Sequence, residues 1–102
     1  METERRKHPR IARPLEASWR GTSGASPCRI GDLSLGGCFI YSRATPARGE
    51  ETMVMATVAD WSVALTGTVV HIDPGMGFAV RFHDLSADQL EDLRKILEAL
   101  NA

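Results

Sequence analysis

Most of the chain alternates between apolar and polar residues over short runs, a pattern that predicts β-strands. The runs contain many β-branched and aromatic residues, and clusters of Gly, Pro, Ser and Thr separate them. Because such clusters reverse the direction of the chain, we expect neighbouring strands to pair antiparallel. The predicted strands are Leu15–Trp19, Cys28–Ile30, Cys38–Tyr41, Thr52–Val58, Val63–Ile72 and Met76–Phe82.

The last two predicted strands are joined by Asp73-Pro74-Gly75, which is typical of a tight turn. Large apolar residues alternate with small or polar ones in the strand that follows, so one face of this hairpin should belong to the core. The residues expected on that face are Met76, Phe78, Val80 and Phe82.

The period changes after Leu85, where the pattern predicts a single amphipathic helix over Ser86–Leu100. Ser86 and Gln89 are spaced as a capping box at its start. Four leucines recur at helical spacing and must be buried against another surface, by default the barrel; any part left exposed would serve a partner or a dimer. They are Leu90, Leu93, Leu97 and Leu100.

Six short strands and one helix in 102 residues favour a mainly β fold. The architecture that accommodates them best is a six-stranded antiparallel β-barrel with one C-terminal α-helix covering an opening or a flank. A small open sheet is the alternative. With 43% hydrophobic residues the chain can bury one core, so we expect a barrel over residues 14–102 preceded by a leader over residues 1–13.

The predicted leader is basic and is interrupted by Pro9, with Pro14 directly behind it, so it should be extended and mobile. The net charge of −1 argues against a duplex nucleic acid partner. The 12 basic residues are all Arg apart from Lys7 and Lys95, which favours forked recognition of a local anion over diffuse attraction.

Several functions are not indicated by the sequence. No apolar run approaches the ~20 residues of a membrane span, and no apolar stretch follows the charged start, so we expect a cytoplasmic protein without membrane insertion. Three scattered histidines predict neither a metal site nor a general base, and His71 should be packed within its apolar strand. No activated nucleophile is recognisable near Ser34, so an enzyme is not predicted.

The two cysteines and the two tryptophans have structural interpretations. Cys28 and Cys38 lie in apolar segments and are expected to be free buried thiols, although a hairpin turning near Leu33 would place them opposite each other. Trp19 and Trp61 are expected in the core or at its rim.

Two short motifs carry the candidate chemistry. Residues 6–10 form R-x-x-x-R, and residues 32–37 form D-x-S-x-x-G. Arginine forks bind phosphate oxygens and the O6/N7 edge of guanine, whereas a carboxylate accepts from guanine N–H donors, so together the motifs indicate a guanine dinucleotide receptor. Each also has a plainer interpretation, as a solvated basic terminus and as an Asx-type turn with a positive-φ residue.

In this order and within a predicted small barrel, the motifs resemble those of the PilZ domain family. Its members sense the bacterial second messenger cyclic di-GMP through an R-x-x-x-R in an N-terminal loop and a D/N-x-S-x-x-G on the barrel. The similarity extends from Glu4 to Phe82 and includes every motif position.

The resemblance implies a role for each matching residue. Arg6 and Arg10 would clamp guanine and phosphate, with Arg5 as an auxiliary cation that is associated in the family with two intercalated ligands. Asp32 and Ser34 would hydrogen-bond a guanine edge. The remaining position, Gly37, would let the backbone pass where a Cβ would obstruct the turn or the ligand.

The leading hypothesis is a non-enzymatic cyclic di-GMP receptor in which binding orders the leader and changes the surface shown to a downstream protein partner. We expect a monomer or weak dimer. One alternative is a nucleotide-independent adaptor that uses the helix or an edge strand. Another is an OB-like barrel for single-stranded nucleic acid, which the near-neutral charge and the lack of an aromatic stripe disfavour.

Overall fold

The computed structural model describes residues 15–58 and 60–101, which form strands, one helix and the connections between them. The predicted mainly β class is confirmed, and each predicted strand is present, several of them longer than expected. The strands are β1 (Leu15–Gly21), β2 (Gly24–Gly31), β3 (Gly37–Tyr41), β4 (Glu51–Val58), β5 (Trp61–Asp73) and β6 (Gly77–Phe82), and the helix is α1 (Ala87–Asn101).

The six strands form a closed antiparallel barrel in the order β1-β2-β3-β6-β5-β4. Pairing of β1 with β4, for example Trp19 opposite Val54, closes the ring. The open sheet is therefore wrong, and a closed ring leaves no long unpaired edge to aggregate. β3 pairs with β6 because the connection through β4 and β5 passes around the barrel.

Alternation along each strand separates the core from the outer face. In β4, Val54 and Ala56 are fully buried, whereas Met53 and Met55, which alternate with them, point to solvent. Trp19 and Phe78 meet edge to face in the interior, with ring centroids 5.4 Å apart. Trp19 is thus a core residue, and Trp61, which is 46% exposed, lies at the rim.

A β-bulge in β5 overturns the expectation for His71. Val69 is opposite Val80 and His71 is opposite Ala79, so β5 carries one extra residue at this point. The extra residue shifts the alternation by one position, and His71 is exposed instead of packed. Ile72 then takes the inward phase opposite Phe78.

Met76 is the one residue of the predicted hairpin core face that lies outside the core. The predicted turn is present: the Met76 N–H donates to the Asp73 carbonyl oxygen at 3.0 Å, and Gly75 has a φ of 82°. This combination, with Pro74 at the second position, is typical of a type II turn. Because Met76 completes the turn, it is 53% exposed, and β6 begins at Gly77.

The two cysteines are free and buried, as predicted, but they are not opposite each other. β2 and β3 pair with Ile30 opposite Ile40, a register that continues with Cys28 opposite Ser42. The hairpin reverses beyond Leu33, because residues 32–36 form an irregular connection between the strands.

Helix α1 begins with the predicted capping box. The Gln89 N–H donates to Ser86 Oγ at 3.0 Å, and the Ser86 N–H donates to Gln89 Oε1 at 2.8 Å. Gln89 Nε2 also donates to the Ala64 carbonyl oxygen at 2.6 Å, which joins the first turn to β5. The buried face is formed by Leu93, Ile96 and Leu97.

Two carboxylates at the start of β4 connect distant parts of the chain. Buried Glu50 accepts from the Ser23 N–H and from the Ala47 N–H, each at 2.9 Å. Glu51 bonds His83 Nε2 at 2.8 Å, and His83 Nδ1 bonds Asp84 at 2.9 Å. The backbone donors lower the pKa of Glu50, while the hydrogen bond to Asp84, followed by the Glu51 charge, raises the pKa of His83.

No helix among the described residues is long and apolar enough to span a bilayer.

Candidate functional site

The D-x-S-x-x-G segment forms one wall of a groove of about 360 Å³ on the outer face of the barrel. The segment connects β2 to β3, and the opposite wall comes from β5 and β6. The groove is lined by Asp32, Ser34, Gly36, Gly37, Cys38, Phe39, Val70, Ala79, Val80 and Arg81.

Asp32 is held at the surface by an unusual backbone conformation. It follows the last residue of β2 and has a φ of 50°, in the left-handed region that Asp tolerates better than most residues. The next residue, Leu33, is fully buried and anchors the connection in the core. The exposed carboxylate of Asp32 is therefore placed on the groove by its neighbour as well as by its own backbone.

Ser34 takes part in the reversal that leads into β3. Its N–H donates to the Gly37 carbonyl oxygen at 2.9 Å, and its Oγ accepts from the Gly36 N–H at 3.3 Å. The Ser34 hydroxyl also donates to the same Gly37 carbonyl oxygen, with a long Oγ to oxygen distance of 3.4 Å. Because a hydroxyl oxygen has two lone pairs, Ser34 can still accept from a ligand donor. The segment is a turn, as its plainer interpretation predicts, but the side-chain bond shown is that of Ser34, and the positive-φ residue is Asp32 and not a glycine.

Gly37 is needed for the contact between β3 and β6. A Cβ at this position would collide with the Val80 carbonyl oxygen, and Gly37 lies opposite Arg81 in the ladder. The adjacent Gly36 carbonyl accepts from the Phe82 N–H at 2.9 Å. A side chain is therefore excluded at Gly37 because the backbone of β6 lies so close to it.

Arg81 is a groove residue that the motifs did not indicate. It lies on the outer face of β6, between Gly37 of β3 and Thr68 of β5, and its side chain is exposed. The alternation in β6 is the signal that could have found it: Phe78, Val80 and Phe82 point inward, so Arg81 must point outward. Its position beside the D-x-S-x-x-G segment required the barrel topology.

The three candidate arginines of the leader, Arg5, Arg6 and Arg10, lie outside the described residues. Their predicted roles remain predictions, and so does the domain boundary at residue 14.

Burial disfavours ionisation of both cysteine thiols. Burial, followed by the Glu16 charge, raises the pKa of Cys28 to about 11. Burial likewise raises the pKa of Cys38, which lines the groove, well above its ordinary value. Since the thiolate is the nucleophile and the metal ligand, burial disfavours both kinds of chemistry at these residues. The part of the chain that the structure describes has no cluster of three or more His, Cys, Asp or Glu residues placed to hold a metal.

The relationship of this chain to known proteins follows from its match to a family model. The model described as the PilZ domain matches residues 4–99, which includes both motifs and the whole barrel. The chain belongs to the PilZ domain family. No curated protein sequence matches it significantly.

The fold of this PilZ domain is shared with solved structures. The PilZ domain of YcgR from Escherichia coli, solved with c-di-GMP, superposes with a TM-score of 0.76 at 21% identity, over 95% of this chain and 92% of that one. The inhibitor of motility MotI/DgrA from Bacillus subtilis superposes with a TM-score of 0.72 at 15% identity, over 95% of this chain and 52% of that one. At these identities the similarity establishes the fold.

Proposed function

We propose that this PilZ domain is a non-enzymatic receptor for cyclic di-GMP that acts as a signalling switch. Ligand binding would draw the segment with Arg5, Arg6 and Arg10 across the groove and change the surface that the barrel presents to a protein partner. Because the ligand is a bacterial second messenger, we infer a bacterial cytoplasmic setting. The observation that carries the proposal is that Asp32 and Ser34 line one solvent-open groove beside Gly37.

The groove has the chemistry that a guanine requires. A carboxylate such as Asp32 accepts from the N1–H and N2–H donors of the base, and the Ser34 hydroxyl oxygen is an additional acceptor. Arg6 and Arg10 would supply the complementary donors to guanine O6/N7 and to phosphate. The family match and the c-di-GMP in the YcgR structure support this assignment of ligand.

The affinity should be moderate because ordering a segment of the chain opposes binding. We expect micromolar or somewhat tighter dissociation constants, roughly −8 to −10 kcal/mol. High salt should weaken binding, since the ligand carries two phosphate charges.

Calorimetric titration with cyclic di-GMP tests the proposal. The wild-type chain should release or absorb heat at tens of micromolar protein, and Arg6→Ala, Arg10→Ala and Asp32→Ala should each remove most of the binding. Arg94→Gln, at an exposed position on α1, is the matched control and should bind normally. Absence of binding by the folded wild-type chain contradicts the proposal.

Thermal unfolding of the same variants separates binding from folding. Arg6→Ala and Arg10→Ala should leave the melting temperature nearly unchanged, because the leader is proposed to contribute little to the core. If either substitution unfolds the domain, the leader is structural.

A second candidate function, a nucleotide-independent adaptor, is favoured by one observation. Met53 and Met55 on the outer face of β4 are 41% and 39% exposed, and flexible methionines suit adaptable protein contacts. An adaptor would bind its partner equally well with and without cyclic di-GMP, whereas the switch would not.

A further inference from the structure

Arg81 places a positive charge on the groove wall opposite the D-x-S-x-x-G segment. The side chain is exposed and makes no ion pair or hydrogen bond within the described ranges 15–58 and 60–101. It is also the sole cationic residue among those that line the described groove. A solvent-exposed guanidinium without a protein partner is available to an anion.

Glu51 lies in the same cross-strand row of outward residues as Arg81 but does not neutralise it. The outer row runs from Glu51 through Thr68 and Arg81 to Gly37. Glu51 is two strands from Arg81, about 10 Å at the usual strand spacing. It accepts from Thr68 Oγ1 at 2.9 Å and bonds His83 Nε2 at 2.8 Å, so its oxygens are already engaged by other partners.

On its other side Arg81 lies opposite Gly37 of β3. Its partner Gly37 contributes no side chain to the outer face, and the next side chain of β3 on that face is Phe39, which lies opposite Ala79 and lines the same groove. The next outward residue of β6 is Ala79, which is small. Because Asp32, Ser34 and Arg81 line the same groove, a ligand held by Asp32 and Ser34 would lie beside Arg81.

We propose that Arg81 is a further cationic contact of the bound cyclic dinucleotide and donates to a phosphodiester oxygen. This inference rests on the proposed function and adds a residue that lies in neither motif. Asp32 is the acceptor for base N–H donors, so the cation on the opposite wall is assigned to the anionic part of the ligand. Its contribution is a charge, which lysine can partly supply, and not a base contact that requires a guanidinium fork.

Calorimetric titration of the full chain with cyclic di-GMP tests this role, with wild type, Arg81→Gln, Arg81→Lys and the control Arg94→Gln compared at low and high salt. Charge-assisted hydrogen bonds contribute enough for Arg81→Gln to weaken binding about tenfold or more at low salt. Arg81→Lys should recover most of this loss, and Arg94→Gln should bind as wild type does. The difference between wild type and Arg81→Gln should shrink in high salt because a simple charge contact is screened.

The possible failures are distinguishable. No binding by the wild-type chain overturns the proposed function and the Arg81 contact with it. Wild-type binding with an Arg81→Gln affinity within about twofold overturns the Arg81 contact alone. If Arg81→Lys is as damaging as Arg81→Gln while both variants keep the wild-type melting temperature, the contact needs the planar fork, and its assignment as a simple charge contact is wrong.

Discussion

At the residue scale, the two adjacent glycines of the D-x-S-x-x-G segment have different requirements. A Cβ at Gly37 would meet the Val80 carbonyl oxygen of β6, whereas a Cβ at Gly36 would meet no atom within 4 Å. Neither residue has a positive φ, so backbone conformation does not explain the difference. The requirement for glycine at position 37 comes from strand packing, whatever it adds for a ligand.

We therefore expect Gly37→Ala to destabilise the domain by about 1–3 kcal/mol, the usual cost of an added group where there is no space. Gly36→Ala is the matched control and should be neutral or stabilise by less than about 1 kcal/mol, because it restricts the unfolded chain without a clash. Urea unfolding measures both. Equal stability of the two variants would show that β3 and β6 separate readily at this point.

At the element scale, α1 depends on a cap that also attaches it to the barrel. Ser86 and Gln89 exchange two hydrogen bonds, and the Gln89 amide reaches the Ala64 carbonyl of β5. The same residue pair thus begins the helix and positions it, so that Leu93 and Ile96 face the interior. A weaker cap should therefore affect the whole domain and not the first turn alone.

Ser86→Ala should lower the free energy of unfolding by about 0.5–2 kcal/mol, because the Gln89 N–H loses its acceptor. Ser86→Asp is the matched control, since Asp is an equally good N-cap and should retain most of the stability. Denaturant midpoints of the two variants give the comparison. A midpoint for Ser86→Ala that equals the wild-type value would mean that the cap contributes nothing to the fold.

At the scale of the whole molecule, Glu50 and His83 connect parts of the barrel that are far apart in the chain, and they respond to pH in opposite directions. The pKa of Glu50 is lowered in the folded state, so its contribution is present above its ordinary value of 4.5 and is lost as the pH falls through the folded pKa. The pKa of His83 is raised, so its contribution is complete below 6.5 and is lost as the pH rises through the folded pKa.

Melting temperatures measured across the pH range should separate the two groups. Glu50→Gln should flatten the acid side of the profile and leave the slope above pH 6.5 as in wild type. His83→Gln should flatten the slope above pH 6.5 and leave the acid side as in wild type, so each variant is the control for the other. Parallel profiles for wild type and both variants would contradict the linkage.

Local periodicity and residue spacing were sufficient to predict the strands and the helix. Alternation located each strand, the change to a helical period after Leu85 located α1, and the spacing of Ser86 and Gln89 identified its cap. These features are predictable because each depends on residues within a few positions of one another. The D-x-S-x-x-G motif was visible for the same reason, and its turn role follows from Asp32 and Ser34 themselves.

The remaining features depend on which strand lies beside which, and the sequence does not state that. His71 is exposed because of a bulge against β6, Cys28 misses Cys38 because of the β2–β3 register, and Gly37 excludes a side chain because of Val80. Arg81 joins the groove because β3 pairs with β6 around a closed barrel. The sequence by itself determined the elements and the candidate motif, and the tertiary structure decided their neighbours, since contacts between distant residues leave no period in the chain.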